Sequence, residues 1–244
     1  MIRSTALAVL AWALVACAPM AYSPNQLQTP MLREAGEFQA TVGNSNVTAA
    51  VSVAPNVLLH GGGHYQALNF TTFNGPREES RQWLAEGGLG MFGDFGHRDV
   101  RWTVLAGGGA GAAWSEVIEG TSNRSYEGRF ARGYLQPNIG WVTPIFEIVG
   151  SVRLAGVQYM DFNSTGYGEN GRSTFGLTPE NMQGRLWFFL EPSVTVKVGY
   201  RWVKLFAQPV LSVPLNREEI SHLPLNLVVG LSFDLAQWHG DWSF

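Results

Sequence analysis

Charged residues are scarce in this sequence, at 14 % of its 244 residues, whereas typical soluble domains contain about 25 %. The 16 basic residues do not outnumber the 19 acidic ones, and the formal net charge is −3. Because a nucleic-acid partner requires a basic surface, this balance argues against one. No apolar run approaches the ~18–20 residues of a membrane-spanning helix, which argues against a helical membrane protein.

Glycine and aromatic residues are abundant instead, with 29 glycines and an aromatic content of 12 %. Near the end of the chain, "LNLVVGLSFDL" (residues 225–235) has an apolar residue at every second position. Alternate side chains of a strand point to opposite faces, so this strand has one wholly apolar face. Together these features predict an all-β fold, a closed antiparallel transmembrane β-barrel whose strands face lipid and lumen alternately.

The N-terminal sequence resembles an export signal. Arg3 supplies a positive start, and residues 6–16 form an apolar core too short to span a membrane. The core ends in "LVAC" (residues 14–17), which resembles a bacterial lipobox whose cysteine is lipidated. Cys17 is the only cysteine, so the mature chain has neither a disulfide nor a free thiol. The alternative is ordinary secretory cleavage at the small residues 16–18.

About ten segments have the character of strands, so we predict a barrel of about ten strands. They lie near residues 36–42, 46–54, 57–68, 83–95, 99–113, 128–142, 145–159, 186–200, 203–213 and 223–235. The predicted organisation is a lipoprotein signal peptide (1–17), a periplasmic linker (18–35) and an outer-membrane barrel (36–244). The alternatives are an eight-stranded barrel and a soluble lipocalin-like barrel, whose polar positions would point outward.

From the second segment onward, short and long connections alternate, whereas the first connection, at residues 43–45, is short although it falls on the long-loop side. Tight turns are predicted at 55–56, 96–98, 143–144 and 201–202, and longer polar loops at 68–82, 114–127, 160–185 and 214–222. Outer-membrane barrels have short periplasmic turns and long external loops. We therefore expect both termini on the short-turn side, where a lipid on Cys17 would enter the inner leaflet without the linker crossing the membrane. The loops 68–82, 114–127 and 160–185 are the candidate sites for an extracellular ligand.

A family resemblance follows from several stretches in addition to the lipobox. "YSPNQLQTPMLREAGEFQ", "GGLGMFGDF", "GYLQPNIGW" and the final strand are similar to a functionally uncharacterised group of Bacteroidota-type outer-membrane barrel lipoproteins. The resemblance implies a barrel, an envelope location and no particular catalytic residues. The final strand also resembles the terminal strand that the barrel assembly machinery recognises, with Phe233 or Phe244 as its aromatic end.

A Gln or Glu precedes Pro in "LQPNI", "LEPSV" and "AQPVL", and alternation points Gln136, Glu191 and Gln208 into the lumen. We expect bulges at these prolines, because proline removes a ladder donor and bulges bend a barrel wall. The alternative hypothesis is a polar belt in the lumen that binds or gates something.

Further charges are predicted to face the lumen. They include Arg132, Glu147, Arg153, Lys197 and Asp234, together with Glu37, Glu86, Arg101 and Lys204. Since buried charges need partners, each inward arginine should lie near a carboxylate. Paired charges that fill the lumen are the default for a small barrel, and a narrow polar pore is the alternative.

No metal, cofactor or catalytic site is predicted. His60 and His64 would lie ~13 Å apart on one strand face, too far apart for one metal ion. His222 and Asp161 fall in predicted external loops without a matching serine. We therefore expect a non-enzymatic outer-membrane barrel lipoprotein with a structural or loop-mediated binding role, whose partners are membrane lipids and the assembly machinery. A narrow channel for small solutes is second, and a barrel-embedded hydrolase is third.

Overall fold

The structure is a computed structural model that describes residues 20–71, 77–96, 99–119, 122–167, 177–200, 202–216 and 220–235. The predicted signal peptide with Cys17, the first two linker residues and the tail 236–244 lie outside the described residues. No helix in these ranges is long and apolar enough to cross a membrane.

The described ranges contain eleven strands and one short helix. They are β1 (Phe38–Gly43), β2 (Asn46–Ala54), β3 (Val57–Thr71), β4 (Arg77–Asp94), β5 (Val100–Glu119), β6 (Ser122–Val142), β7 (Phe146–Thr165), α1 (Pro179–Met182), β8 (Leu186–Tyr200), β9 (Val203–Leu211), β10 (Val213–Pro214) and β11 (Leu225–Asp234). Neighbouring strands pair antiparallel, β9 pairs with both β8 and β11, and β11 pairs with β1. These pairings confirm a closed antiparallel barrel of ten strands, and β10 is a two-residue addition beside β8.

Strands β3 to β7 are longer than expected, and two of the predicted long loops are wrong. Most of 68–82 and 114–127 is strand, because β3 continues to Thr71, β4 begins at Arg77, β5 continues to Glu119 and β6 begins at Ser122. In β4, the extension over residues 77–82 is polar on both faces, which resembles a loop in sequence. The backbones of the extensions nevertheless continue the same ladders, with pairs such as Ser80–Ser115.

The extensions give the barrel two distinct ends. We call the end where β1 begins and β2–β3, β4–β5, β6–β7 and β8–β9 connect the turn rim. The opposite end, where β3 to β7 project and β7–β8 and β9–β11 connect, is the extended rim. The connection from β7 to β8 contains α1.

The outer face of the wall is apolar over a limited height, as β4 illustrates. Leu89 and Met91 point outward and are more than half exposed. Above Trp83, the outward side chains are charged, including the exposed Arg77 and Arg81. The stretch from Trp83 to Phe95 is tilted by ~40° from the barrel axis, so it spans a height of about 30 Å along that axis. The wall therefore has an apolar band of membrane thickness, above which the strand extensions project.

Inward glycines make room for large side chains of the next strand. A Cβ added to Gly107 would lie 2.8 Å from the hydroxyl oxygen of Tyr134, and one added to Gly111 would lie 2.8 Å from Cζ of Phe130. The glycine run of β5 thus allows aromatic rings of β6 to lie against the wall inside the lumen.

The prolines of β6, β8 and β9 do not form the bulges that we expected. Pro137, Pro192 and Pro209 point outward, but the strand registers show no shift at any of them. Ladder pairs are instead missing beside Pro137 and Pro209, where a donor is absent. The three prolines line an apolar depression of about 730 Å³ on the outer face.

Candidate functional site

The lumen is occupied by the protein's own N-terminal region. Residues 20–32, which we call the luminal segment, are all buried. They contact inward side chains from strands around the whole barrel. The expectation that 18–35 is a linker outside the barrel is therefore wrong for most of its described residues. The physical reason is that polar luminal side chains satisfy the main chain of this segment as water would.

Two glutamine side chains hold the segment as a neighbouring strand would. Gln82 accepts a hydrogen bond from the Ser23 amide at 3.0 Å and donates one to the Ser23 carbonyl at 2.9 Å. Gln208 does the same at Leu27, with distances of 2.9 Å and 3.0 Å. Each primary amide thus pairs with both backbone groups of one residue, which fixes the position of the main chain in the lumen.

Further side chains of the wall donate to carbonyls along the segment. The carbonyls of Met20, Ala21, Pro24, Gln28, Thr29 and Met31 accept from Tyr126, Tyr159, Asn226, Gln136, Lys197 and Arg101 respectively. These donors lie on β5, β6, β7, β8 and β11. Because so many contacts are made to backbone groups, the lumen is built to hold an extended chain.

A cluster of charged and phenolic groups surrounds Tyr22. Its hydroxyl donates to Glu191 at 2.7 Å and accepts from Arg132 at 3.1 Å. Arg153 forms an ion pair with the other oxygen of Glu191 at 2.5 Å. The Tyr22 ring stacks on Phe189, with centroids 4.3 Å apart. The hydroxyl thus joins two opposite charges of the wall to the segment.

Asn25 continues this network on the other side of Arg132. Its amide donates to Glu86 at 3.0 Å, and its side-chain oxygen accepts from Arg132 at 2.9 Å. Arg132 and Glu86 also form a direct ion pair whose side chains are almost completely buried. Buried ions are stable only when their remaining hydrogen-bonding groups find partners. Asn25 and Tyr22 supply such partners, so the segment is part of the electrostatic balance of the lumen.

The structure places all three residues of the hypothesised polar belt in the lumen, where each has no exposed surface. Glu191 contacts Tyr22, Gln208 contacts Leu27, and Gln136 contacts the Gln28 carbonyl. The belt therefore lies against residues of this same chain.

Most of the other predicted luminal charges form ion pairs with one another inside the lumen. Arg132 pairs with Glu86, Arg153 with Glu191, and both Lys197 and Lys204 with Glu147. Arg101 lies 3.9 Å from Asp94 and donates to the Met31 carbonyl. Asp234 is half-buried at the end of β11. The charges thus fill the lumen together with the segment.

Both ends of the luminal segment pack in apolar clusters. At the extended rim, Ala21 and Tyr22 join a cluster that includes Phe130 and Trp187. At the turn rim, Leu32 and Met31 join two smaller clusters, with Phe92 in the first. Hydrogen bonds hold the segment along its length, and apolar contacts add to them at both ends.

The histidines contact separate partners. The Nδ1 atoms of His60 and His64 lie 3.3 Å from the Tyr134 hydroxyl and 3.0 Å from the Asn46 side-chain oxygen. Within the described ranges, no group of three or more His, Cys, Asp or Glu side chains is placed to hold a metal ion. His222 lies against backbone carbonyls at 3.0 Å and 3.1 Å.

Comparisons with known proteins add little to this geometry. No protein-family model matches the chain, and no curated protein matches it. Among solved structures, the crystal structure of Acinetobacter baumannii CarO matches over 85 % of this chain and 100 % of that chain, with 12 % sequence identity and a TM-score of 0.34. A similarity of this size transfers neither structural detail nor function. The pairing of the strands and the two faces of the wall define an outer-membrane type of β-barrel fold.

Proposed function

We propose that this protein is an outer-membrane β-barrel lipoprotein closed by its own luminal segment, with a structural or surface-binding role rather than that of an open pore. The single observation that carries the proposal is the burial of residues 20–32 inside the barrel. A barrel of ten strands is narrow, and side chains alone fill the interior of slightly smaller barrels. The extended chain of residues 20–32 is buried and hydrogen-bonded to the wall, so it occupies the interior that an open pore would need.

The apolar band of the outer face supports a location in the outer membrane. In lipid, every backbone polar group needs an internal partner, and a closed barrel provides this. Membrane lipids are then its main partners, and the barrel assembly machinery inserts it through its final strand, β11. Lipidation at Cys17 after removal of residues 1–16, and membership of the lipoprotein group with similar motifs, are parts of the same proposal.

The extended rim is the proposed binding surface. Its strand extensions carry exposed outward charges, among them Arg77 and Arg81 on β4. Across β5 and β6, the outward Trp114 and Glu127 are paired neighbours on the same projecting sheet. A sheet that projects beyond the membrane band is placed to contact a partner outside the cell.

A narrow channel is the second candidate, because only hydrogen bonds and packing hold the luminal segment to the wall. If the segment left, the lumen would expose the polar side chains of Gln82, Gln136 and Gln208 along its length. Such a channel would be gated by residues 20–32. A barrel-embedded hydrolase is the third candidate.

Conductance in planar bilayers separates these functions. Three proteins are compared: the parent, a variant lacking residues 20–32, and a variant with Ala21→Cys and Ser221→Cys. The Ala21 amide donates to the Ser221 carbonyl at 3.0 Å, and Tyr22 pairs with His222 as in a parallel sheet. Neighbouring strands lie about 4.8 Å apart, which is within the Cα–Cα range of disulfides. When the double-cysteine variant is oxidised, a disulfide between residues 21 and 221 therefore fixes the luminal segment to the wall, and we call this form the stapled variant.

A closed barrel predicts no current from the parent or the stapled variant, and a current from the deletion variant. If the parent conducts and its stapled form does so only after reduction, the gated channel replaces our proposal. If the parent conducts and the double-cysteine variant conducts equally in its oxidised and reduced forms, the proposal that residues 20–32 close the lumen is wrong. Because the deletion variant can fail to fold, its folding is checked by the change of its gel mobility on heating. If it does not fold, the comparison of the oxidised and reduced double-cysteine variant still distinguishes a closed barrel from a gated channel.

A further inference from the structure

The luminal segment crosses the whole barrel, and this fixes where the preceding chain emerges. We infer that the chain before Met20 leaves the barrel at the extended rim, opposite the rim where β1 begins. A probe placed on the chain next to Met20 is therefore expected to be accessible from the face that carries the strand extensions. The expectation that the chain before β1 stays on the short-turn side is wrong for the described residues.

Contacts at the start of the segment place it at the extended rim. Tyr126, near the start of β6, donates to the Met20 carbonyl. The Ala21 amide donates to the carbonyl of Ser221, in the connection between β9 and β11. Both wall partners belong to the extended rim, so the chain that precedes Met20 begins there.

Contacts along the segment then descend the wall in order. Asn226 at the start of β11 contacts Pro24, Gln208 in the middle of β9 contacts Leu27, Lys197 near the end of β8 contacts Thr29, and Arg101 at the start of β5 contacts Met31. After Leu32, the amide of Arg33 donates to Glu37 at 2.5 Å, and β1 follows. The segment therefore enters at one rim and ends at the other.

If Cys17 is lipidated, as proposed above, the position of Met20 limits where the acyl chain can enter the membrane. Three residues of chain span at most ~11 Å. The apolar band of an outer-membrane barrel is about 25 Å tall, so Cys17 cannot return to the turn rim outside the barrel. An acyl chain on Cys17 would enter the leaflet at the extended rim, which is the outer leaflet if that rim faces outward.

Threading also sets an order of assembly. A segment fixed at a lipidated Cys17 and continuous with β1 cannot pass through a barrel that is already closed. It enters the lumen only while β1 and β11 are still unpaired, so the wall must close around it. The many contacts that it makes with β4, β6, β8 and β9 give the strands a common core for closure.

Labelling of one added cysteine on intact cells tests this topology. The reporter is Ala18→Cys, and the controls are Asn44→Cys at the extended rim and Ile145→Cys at the turn rim, both exposed positions. The parent, whose only cysteine is Cys17, controls for background. With a membrane-impermeant maleimide, we expect the reporter and Asn44→Cys to label alike, and Ile145→Cys to label only after permeabilisation.

The controls separate this inference from the proposed function. If the reporter Ala18→Cys is labelled under the same conditions as Ile145→Cys, the inference that the segment crosses the barrel from the extended rim is wrong. If Ile145→Cys labels in intact cells and Asn44→Cys does not, the proposed orientation of the barrel fails, but a reporter that still follows Asn44→Cys supports the threading. Disulfide formation between Ala21→Cys and Ser221→Cys in cells provides a second measurement that does not depend on maleimide access, and its absence under oxidation contradicts the inference.

Discussion

The two faces of the barrel wall meet different surroundings, and β9 shows the difference within a few residues. Leu205 points outward and is 68 % exposed, whereas Gln208 points inward and is completely buried. The outward residue needs only to be apolar, so many residues could replace it. The inward residue contacts both backbone groups of Leu27 and the Thr195 hydroxyl. The outer face is thus specified by hydrophobicity and the inner face by individual partners.

The largest expected effect comes from breaking a buried ion pair on the inner face. Arg132→Met removes the partner of Glu86 and also the contacts with Tyr22 and Asn25. A buried charge left without its partner typically costs about 3–5 kcal/mol. We expect a loss of this size in the free energy of unfolding, measured with urea in lipid vesicles by tryptophan fluorescence.

The double variant Arg132→Met with Glu86→Gln is the control for this effect. Removing both charges leaves no uncompensated ion, so it should recover part of the stability that the single variant loses. A single variant that unfolds like the parent would contradict the view that residues 20–32 and the charges form one network.

A smaller effect is expected for the amide that clamps Leu27. Gln208→Met keeps a similar volume but leaves the buried amide and carbonyl of Leu27 without these partners, at a cost of about 2–3 kcal/mol. Leu205→Met on the same strand is the matched outward variant, and its cost should stay below about 1 kcal/mol because the side chain that faces lipid stays apolar and of similar size. The same urea unfolding experiment measures both. Equal losses would remove the distinction between the two faces.

The outer face could be predicted from the sequence because its signal is local. Alternation gave the inward and outward residues of β11, and the bounds of β2 and β8 agree with the structure. The start of β4 was misjudged because outward apolar residues stop at Trp83, where the apolar band ends, although the strand begins at Arg77. Pattern analysis therefore found the band and missed the strand extensions.

The contents of the lumen could not be predicted in the same way. Gln208 and Leu27 are separated by 181 positions, and no local pattern connects them. Alternation placed Gln136, Glu191 and Gln208 inside but did not reveal what they contact. One signal was present: residues 18–32 carry no charged side chain and include Tyr22 and Leu27, which is unusual for a solvated linker. Their burial, however, depends on a barrel wall that forms from the rest of the chain.

The smallest expected effect is at Pro137 on the outer face, because the strand register is the same on both sides of this proline. Pro137 is exposed, and the β6–β7 register is unchanged across it, although the ladder pairs beside it are missing. Pro137→Val supplies an N–H that can donate to β7, in a residue that favours strands. One added hydrogen bond contributes about 0.5–1.5 kcal/mol. We expect a gain of about 1 kcal/mol in the same unfolding measurement.

The lumen should not respond to this change, because the side chain at residue 137 points away from it. Bilayer conductance and the labelling of Ala18→Cys should therefore match those of the parent. A loss of stability would show that the gap beside Pro137 is too wide for a ladder hydrogen bond, and that the outer face, too, depends on individual residues at the height of the three prolines. A gain without any change in the lumen would instead support independent requirements on the two faces of the wall.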